Sequence, residues 1–171
     1  KGDRIFVFSV SGGASVLAGD LAQDAGLNMP PISKKTDKAL QKILEIAHPF
    51  QNPMDVVGAP RLAKGDNLTR VLNVLKADPN YDLIAFVMVA QRELSDSHRK
   101  LQEQYQAVAE KSAKPIVLIS EMNWQPAERP TPDGPFISGT LDLGMKALKS
   151  LVDFGAHRQQ NAVQTQKRKM R

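Results

Sequence analysis

Cysteine is absent from this sequence of 171 residues, and its absence excludes disulfide bonds, thiolate metal sites and a cysteine nucleophile. No apolar run approaches the roughly 20 residues that cross a bilayer, and no charged start leads into the apolar segment of a signal peptide. We therefore expect neither a membrane span nor secretion, and these absences together favour a reducing cytoplasm.

The net charge of +5 is not spread evenly over the chain. Residues 158–171 hold five basic residues and no acidic one, so the remaining 18 of the 23 Lys and Arg residues balance the 18 Asp and Glu residues of 1–157. A short basic end is usually a solvated tail or linker. We predict a domain over 1–157 and a frayed or disordered basic tail over 158–171, without nucleic acid binding. Because the chain enters a strand almost at once after Lys1, we also expect it to be a piece of a longer polypeptide.

The three histidines show no metal-binding or catalytic pattern. His48 precedes a proline in a predicted loop, His98 is expected at the exposed start of a predicted helix, and His157 ends the last predicted helix. None has a second ligand at a suitable spacing. We expect exposed or capping histidines and no metal site.

Apolar runs and turn residues divide the chain into alternating strands and helices. Strands are predicted at 4–10, 27–33, 82–89, 115–120 and 136–138, the second being an edge strand because it contains two prolines. Helices are predicted at 14–25, after an N-cap at Ser33, around 68–75, at 96–112 and at 139–157, with a loop at 48–66. Residues predicted to face the core are Val16, Leu17, Leu21 and Ala25 in the first helix, Leu40, Ile43, Leu44 and Ala47 in the second, and Leu141, Met145, Leu148, Leu151 and Val152 in the last.

Strands that alternate with helices form parallel sheets covered on both faces. We predict an α/β fold, a flavodoxin-like doubly wound parallel sheet of about five strands. Ligands of such sheets bind beyond the carboxyl ends of the strands, at the switch point beside the first strand. The segment "SVSGGASVLAGD" (9–20) occupies this place.

The glycine loop consists of Ser11, Gly12, Gly13, Ala14 and Ser15. A helix N-terminus offers free N–H groups and a partial positive charge, glycines allow an anion to approach, and the two serine hydroxyls could donate to it. No lysine lies between residues 5 and 33, as a P-loop would need, and the glycine spacing is not G-x-G-x-x-G. From the residues alone, phosphate binding and a packing turn both remain open.

Two further groups of residues are candidates for the same edge of the sheet. Asn52, Pro53 and Asp55 could line it, or they could be turn formers. Gln91 ends the central strand and could reach the glycine loop.

Three segments resemble one domain of the NDP-forming acyl-CoA synthetases, the superfamily of succinyl-CoA synthetase. They are "VSGGASVLAGDLAQDAGLNMPPIS" (10–33), "NPMDVVG" (52–58) and "DPNYDLIAFVMVAQ" (78–91). The resemblance covers about residues 3–155, and 121–138 are not matched. It implies the flavodoxin-like ligase domain that pairs with a domain carrying a phosphorylated histidine.

The family joins a carboxylic acid to coenzyme A, coupled to ATP or GTP cleavage with Mg, through an acyl phosphate and a phosphohistidine. The resemblance implies that the glycine loop stabilises the phosphohistidine by hydrogen bonds and dipole. It places that histidine, the CoA-binding domain and the ATP-grasp domain outside this chain, as other domains or subunits. We therefore expect no catalytic residue and no cofactor bound by this domain alone, and an inactive isolated chain. Homo-oligomerisation is left open.

The alternative is a stand-alone flavodoxin-like module for ligand binding or docking, without ligase chemistry. The glycine loop weakly resembles the phosphate loop of flavodoxins, but aromatic residues make up only 5% of the chain, and only Trp124 is placed to stack on a flavin. A receiver domain is disfavoured because no acidic residue ends the first strand.

Overall fold

The computed structural model describes residues 2–88, 95–120, 136–138 and 140–169, with the backbone alone for 136–138, 159, 160 and 162–169. Within these ranges, parallel strands form one sheet in the order β2-β1-β3-β4-β5. The strands are β1 (Ile5–Ser9), β2 (Met54–Asp55), β3 (Leu83–Met88), β4 (Ile116–Ser120) and β5 (Phe136–Ser138). The helices are α1 (Gly12–Asp24), α2 (Lys34–Leu44), α3 (Ala59–Ala63), α4 (Asn67–Ala77), α5 (Asp96–Ala109) and α6 (Leu141–Lys169). This order is flavodoxin-like, and the predicted fold class is confirmed.

Both faces of the sheet are covered. In β1, Ile5 and Val7 lie in one hydrophobic cluster, and Phe6 and Phe8 lie in the other. α1 and α6 contribute to the first cluster, and α2 to α5 contribute to the second. All residues of β1, β3 and β4 are buried, and apart from the terminal Ser9 and Ser120 these strands are apolar instead of alternating with polar residues.

The second strand of the sheet was wrongly predicted at 27–33. Pro30 and Pro31 cannot donate ladder hydrogen bonds, and this segment pairs with the chain only through an isolated bridge between Arg4 and Asn28. β2 lies instead within the predicted loop 48–66, which also contains α3. Its Met54 and Asp55 pair with the end of β1, so the edge of the sheet beside β1 is very short.

The inward face of α1 also differs from the prediction. Val16 and Leu17 are 65% and 49% exposed. The buried positions are the small residues Ala14, Ser15, Ala18, Gly19 and Ala22, while Leu21 and Ala25 are only partly buried. In α2, Ser33 caps the helix as predicted, with its Oγ 3.2 Å from Thr36 N. The helix ends at Leu44, where Glu45 takes a positive φ, and Ala47 is therefore exposed and outside it.

The last helix is longer than predicted. α6 continues past residue 157 to Lys169, where we had expected a frayed or disordered tail. Leu141, Met145 and Leu148 are buried as predicted, but Leu151 is exposed. The domain boundary at 157/158 stays a prediction. None of the described helices combines the length and apolarity that crossing a bilayer requires.

Candidate functional site

The carboxyl end of β1 turns into α1 through two serines. Ser9 is buried, and its Oγ accepts a hydrogen bond from the backbone N–H of Ser11 at 3.1 Å. Ser11 is the N-cap of α1, but its own side chain makes no capping hydrogen bond. The first N–H to join the helical pattern is that of Ser15, which donates to Ser11 O at 2.9 Å. The N–H groups of the first turn therefore have no intrahelical acceptor and no serine cap.

The two glycines of the loop have different surroundings. A Cβ built on Gly12 would lie 2.8 Å from Asp55 Oδ2, so a larger residue would collide with the carboxylate. A Cβ built on Gly13 would meet nothing within 4 Å, and Gly13 is exposed. The helix start is thus closed by Asp55 on one side and open at Gly13.

Asp55 both forms a turn and lines the carboxyl edge of the sheet, the two alternatives that the sequence left open. Its Oδ1 accepts a hydrogen bond from Val57 N at 2.8 Å, which is the bond of an Asx turn. Its Oδ2 faces the start of α1. Val57 adopts φ 57° in this turn, a rare conformation for a β-branched residue. The turn after β2 therefore holds a carboxylate beside the glycine loop.

Ser15 does not offer its hydroxyl to a ligand. The side chain is buried, and Oγ donates to Met54 O at 3.0 Å. This hydroxyl bond links α1 to β2, while the Ser15 N–H donates within α1 to Ser11 O. The expectation that both serine hydroxyls are available donors is corrected: of the two, only that of Ser11 lacks a role in capping or packing.

Asn52 and Pro53 lie further from the loop than Asp55. The Asn52 amide donates to Ile5 O at 2.8 Å and to Pro30 O at 3.1 Å, and its Oδ1 accepts from Val7 N at 3.0 Å. The side chain thus satisfies backbone groups of β1 that β2 is too short to reach. Pro53 packs on α1, where a Cβ built on Gly19 would lie 2.8 Å from Pro53 Cγ. The structure brings Asp55 to the loop and uses Asn52 and Pro53 to attach β2.

Two sequence candidates lie outside the described residues. They are Gln91, which we expected at the carboxyl edge, and Trp124, the one residue considered for flavin stacking. The same holds for most of the unmatched segment 121–138.

The electrostatics of the loop are unusual for an anion site. The sequence from residue 5 to residue 33 contains no lysine or arginine, and among the described residues the charged group that faces Gly12 is the Asp55 carboxylate. An anion at α1 would be attracted by the N–H groups and the helix dipole and repelled by Asp55. A tightly held phosphate here would need a positive charge from elsewhere.

One histidine prediction is corrected. His98, expected on an exposed helix start, is 3% exposed. Its Nδ1 lies 2.7 Å from Ser95 Oγ, the N-cap of α5, and its Nε2 has no hydrogen-bond partner within the described part of the chain. Burial lowers the pKa of His98. His48 and His157 are exposed as expected, but His157 lies inside α6 and does not end it.

Sequence reasoning missed the buried Ser9 and the strained Val57. Ser9 belongs to an apolar run, and its small size gives no sign that its hydroxyl would shape the turn. The signal that could have found Val57 was the Asn-Pro-x-Asp segment that precedes it and the glycine that follows it, because together they indicate a strand that ends in a turn.

No family model matches this chain. Curated relatives do match half of it. Subunit alpha of acetate–CoA ligase (ADP-forming) II from Pyrococcus furiosus is 29% identical over 89 residues, which are 52% of this chain and 19% of that protein. Acetate–CoA ligase (ADP-forming) I from Archaeoglobus fulgidus is 26% identical over 88 residues, 52% of this chain and 12% of that protein.

Solved structures match nearly the whole chain. A crystal structure of a Pyrococcus horikoshii OT3 protein has a TM-score of 0.67 and 20% identity, covering 89% of this chain and 35% of that one. The dinucleotide forming acetyl-coenzyme A synthetase 1 of Ca. Korarchaeum cryptofilum, in complex with phosphate and ADP, has a TM-score of 0.65 and 18% identity, covering 93% and 34%. These structures show the shared fold, and the chain spans about a third of their length. Over about half of its own length, the chain is homologous to ADP-forming acetate–CoA ligases, in agreement with the resemblance that its sequence predicted.

Proposed function

We propose that this chain is the ligase domain of an NDP-forming acid–CoA ligase, and that the start of α1 stabilises a phosphohistidine supplied by a partner domain. The homology supports the enzyme class. The observation that carries the role is the open start of α1 at the carboxyl end of β1, where Gly13 is exposed and Ser11 leaves the helix uncapped.

The groups that would act are backbone N–H groups, above all those of Gly12 and Gly13. They would donate hydrogen bonds to phosphoryl oxygens, and the α1 dipole would add a favourable field. This is electrostatic stabilisation by groups fixed in advance, without proton transfer by this domain. Among the described residues, no basic side chain would lie within 4 Å of a Cβ built on Gly12 or Gly13. This fits a site that is completed from outside, where the partner would offset the charge of Asp55.

The remaining parts of the reaction would belong to other domains or subunits. ATP or GTP with Mg would supply the phosphoryl group, and coenzyme A would bind to a separate domain. A related synthetase has been solved with phosphate and ADP. The isolated chain is expected to be inactive, and contact with the partner domain would form at the open end of α1.

The test is a matched pair of glycine variants in the complete enzyme. Gly13→Val places a side chain in the space that the phosphoryl group would enter, and we expect labelled phosphate incorporation into histidine to fall by at least about tenfold. Gly155→Val is the control, because a Cβ there also meets nothing within 4 Å and the residue also lies in a helix. It should leave incorporation unchanged.

Coenzyme A affinity provides a second readout, since a general folding defect would lower it together with phosphorylation. We expect both variants to bind coenzyme A normally. Equal phosphorylation of the Gly13 and Gly155 variants would refute the role of the loop. A complete protein that incorporates no phosphate at all would favour the docking module without ligase chemistry.

A further inference from the structure

α6 has a second apolar face that the domain does not cover. Its inner face packs on the sheet through Met145 and Leu148. On its outer side, Leu143, Leu151 and Phe154 are 58%, 59% and 62% exposed. We call these three residues the outer stripe. Single exposed apolar residues are common, but three of this size on one helix call for an explanation.

The outer stripe is aligned along the helix. At about 100° per residue, Leu151 is rotated by roughly 80° from Leu143 and Phe154 by roughly 20°, so all three share one face. The Arg158 guanidinium lies 5.9 Å from the centroid of the Phe154 ring and continues the same face one turn later. The stripe therefore ends in a positive charge.

Beyond the stripe, α6 continues to Lys169. Ala156, His157, Arg158 and Asn161, the described side chains of this part, are all exposed. Residues 157–169 extend about 20 Å along the axis of α6. Residues 158–171 carry five basic residues and no acidic one. A partner for this segment would have to be acidic.

A second copy of α6 does not meet this requirement. Within 141–157 the charges of Asp142, Lys146, Lys149 and Asp153 cancel. An antiparallel copy would offer the basic segment a neutral helix, and a parallel copy would place the two basic segments side by side. Nucleic acid would match the charge but not the outer stripe, because phosphate binding gains nothing from leucine and phenylalanine.

We propose that α6 docks, through the outer stripe and the basic segment that follows it, onto an acidic amphipathic helical surface of another protein domain. Leucine or similar residues of the partner would cover the stripe, and flanking carboxylates would pair with the basic segment. None of the residues of this surface belongs to the glycine loop, and the proposal does not depend on phosphate chemistry.

The probe is a labelled helical peptide with one leucine stripe flanked by glutamates, and its counterpart has lysines in their place. We expect the chain to bind the acidic peptide at least about tenfold more tightly than the basic one, with an affinity that falls as salt rises. The double variant Leu151→Ser and Phe154→Ser should lose most of this binding. The control is Val16→Ser, which removes an equally exposed apolar side chain from α1.

The triple variant Lys167→Gln, Arg168→Gln and Lys169→Gln should weaken binding and flatten its salt dependence. Thermal unfolding of each variant shows whether the fold is kept. Equal affinity for the two peptides would overturn the proposal, and so would tighter binding of a short DNA duplex than of the acidic peptide. Sedimentation of a dimer that the Leu151 and Phe154 substitutions dissociate would overturn it in favour of a second copy.

Discussion

Gly12 and Asp55 approach so closely that a Cβ at position 12 would lie 2.8 Å from Asp55 Oδ2. The glycine at the start of α1 is therefore required by packing against the turn after β2. Gly13, its neighbour, has no such contact and is exposed. The two glycines of the loop thus have separable roles, one in fitting α1 to β2 and the other in keeping the helix start open.

This difference predicts opposite effects on stability. Gly12→Ala should lower the free energy of unfolding by about 1–2 kcal/mol, because the added methyl group must displace the Asp55 carboxylate. Gly13→Ala should leave it unchanged or raise it by up to about 1 kcal/mol, since alanine favours the helix. Urea denaturation of both variants measures the difference. Equal stability of the two would contradict the close approach of Gly12 and Asp55.

The charge of Asp55 predicts that the isolated chain binds phosphate weakly. Asp55→Asn removes the charge but keeps an oxygen that can accept from Val57 N. We expect the affinity for inorganic phosphate to rise by about fivefold, since one repulsive charge near the site is lost. Amide shifts of Gly12 and Gly13 in a phosphate titration report the binding.

The matched control for this titration is Asp20→Asn on the same helix. Asp20 is exposed and lies about 12 Å along the axis from Gly12, beyond the screening length at physiological salt. It should not change the affinity. If the two substitutions raise phosphate binding equally, the effect comes from net charge and not from the placement of Asp55.

His98 predicts a pH dependence of stability. Burial lowers its pKa, so the unfolded chain takes up a proton more readily than the folded protein. The stability that comes from the neutral, buried His98 is fully present above the pKa of histidine in the unfolded chain, about 6.5. It is lost as the pH falls through the lower pKa of His98 in the folded protein. His98→Gln should flatten this part of the stability profile, followed by urea denaturation between about pH 5 and 7. The exposed His157→Gln should not, and a profile unchanged by His98→Gln would rule out this assignment.

The elements predicted correctly are those in which the order of apolar and polar residues along the sequence indicates which positions are buried. β1, β3 and β4 are apolar on both faces, and α2, α4 and α5 carry one apolar stripe each. Their order along the chain was sufficient to predict a parallel doubly wound sheet. The position of the α1 start at the carboxyl end of β1 follows from the same order.

The short edge of the sheet could not be predicted in this way. β2 is two residues long and gives no periodic signal, and the Asn52 amide replaces ladder bonds that a longer strand would make. The burial of His98 could not be predicted for a related reason. A polar residue in the first turn of a helix is usually exposed, and only the packing around α5 buries this one. Neither arrangement leaves a mark on hydrophobic periodicity.

The small residues on the buried face of α1 bear on how accurately the candidate site is built. Alanine and glycine side chains have no rotamers, so the position of α1 on the sheet does not depend on side-chain rearrangement. At Gly19 the helix packs so closely on Pro53, just before β2, that there is no room for a larger side chain. Ala18 is fully buried, so a larger residue there would have to displace α1 from the sheet. The geometry at the start of α1 therefore depends on residues one to three turns further along the helix, as well as on the contacts of Gly12 and Ser15.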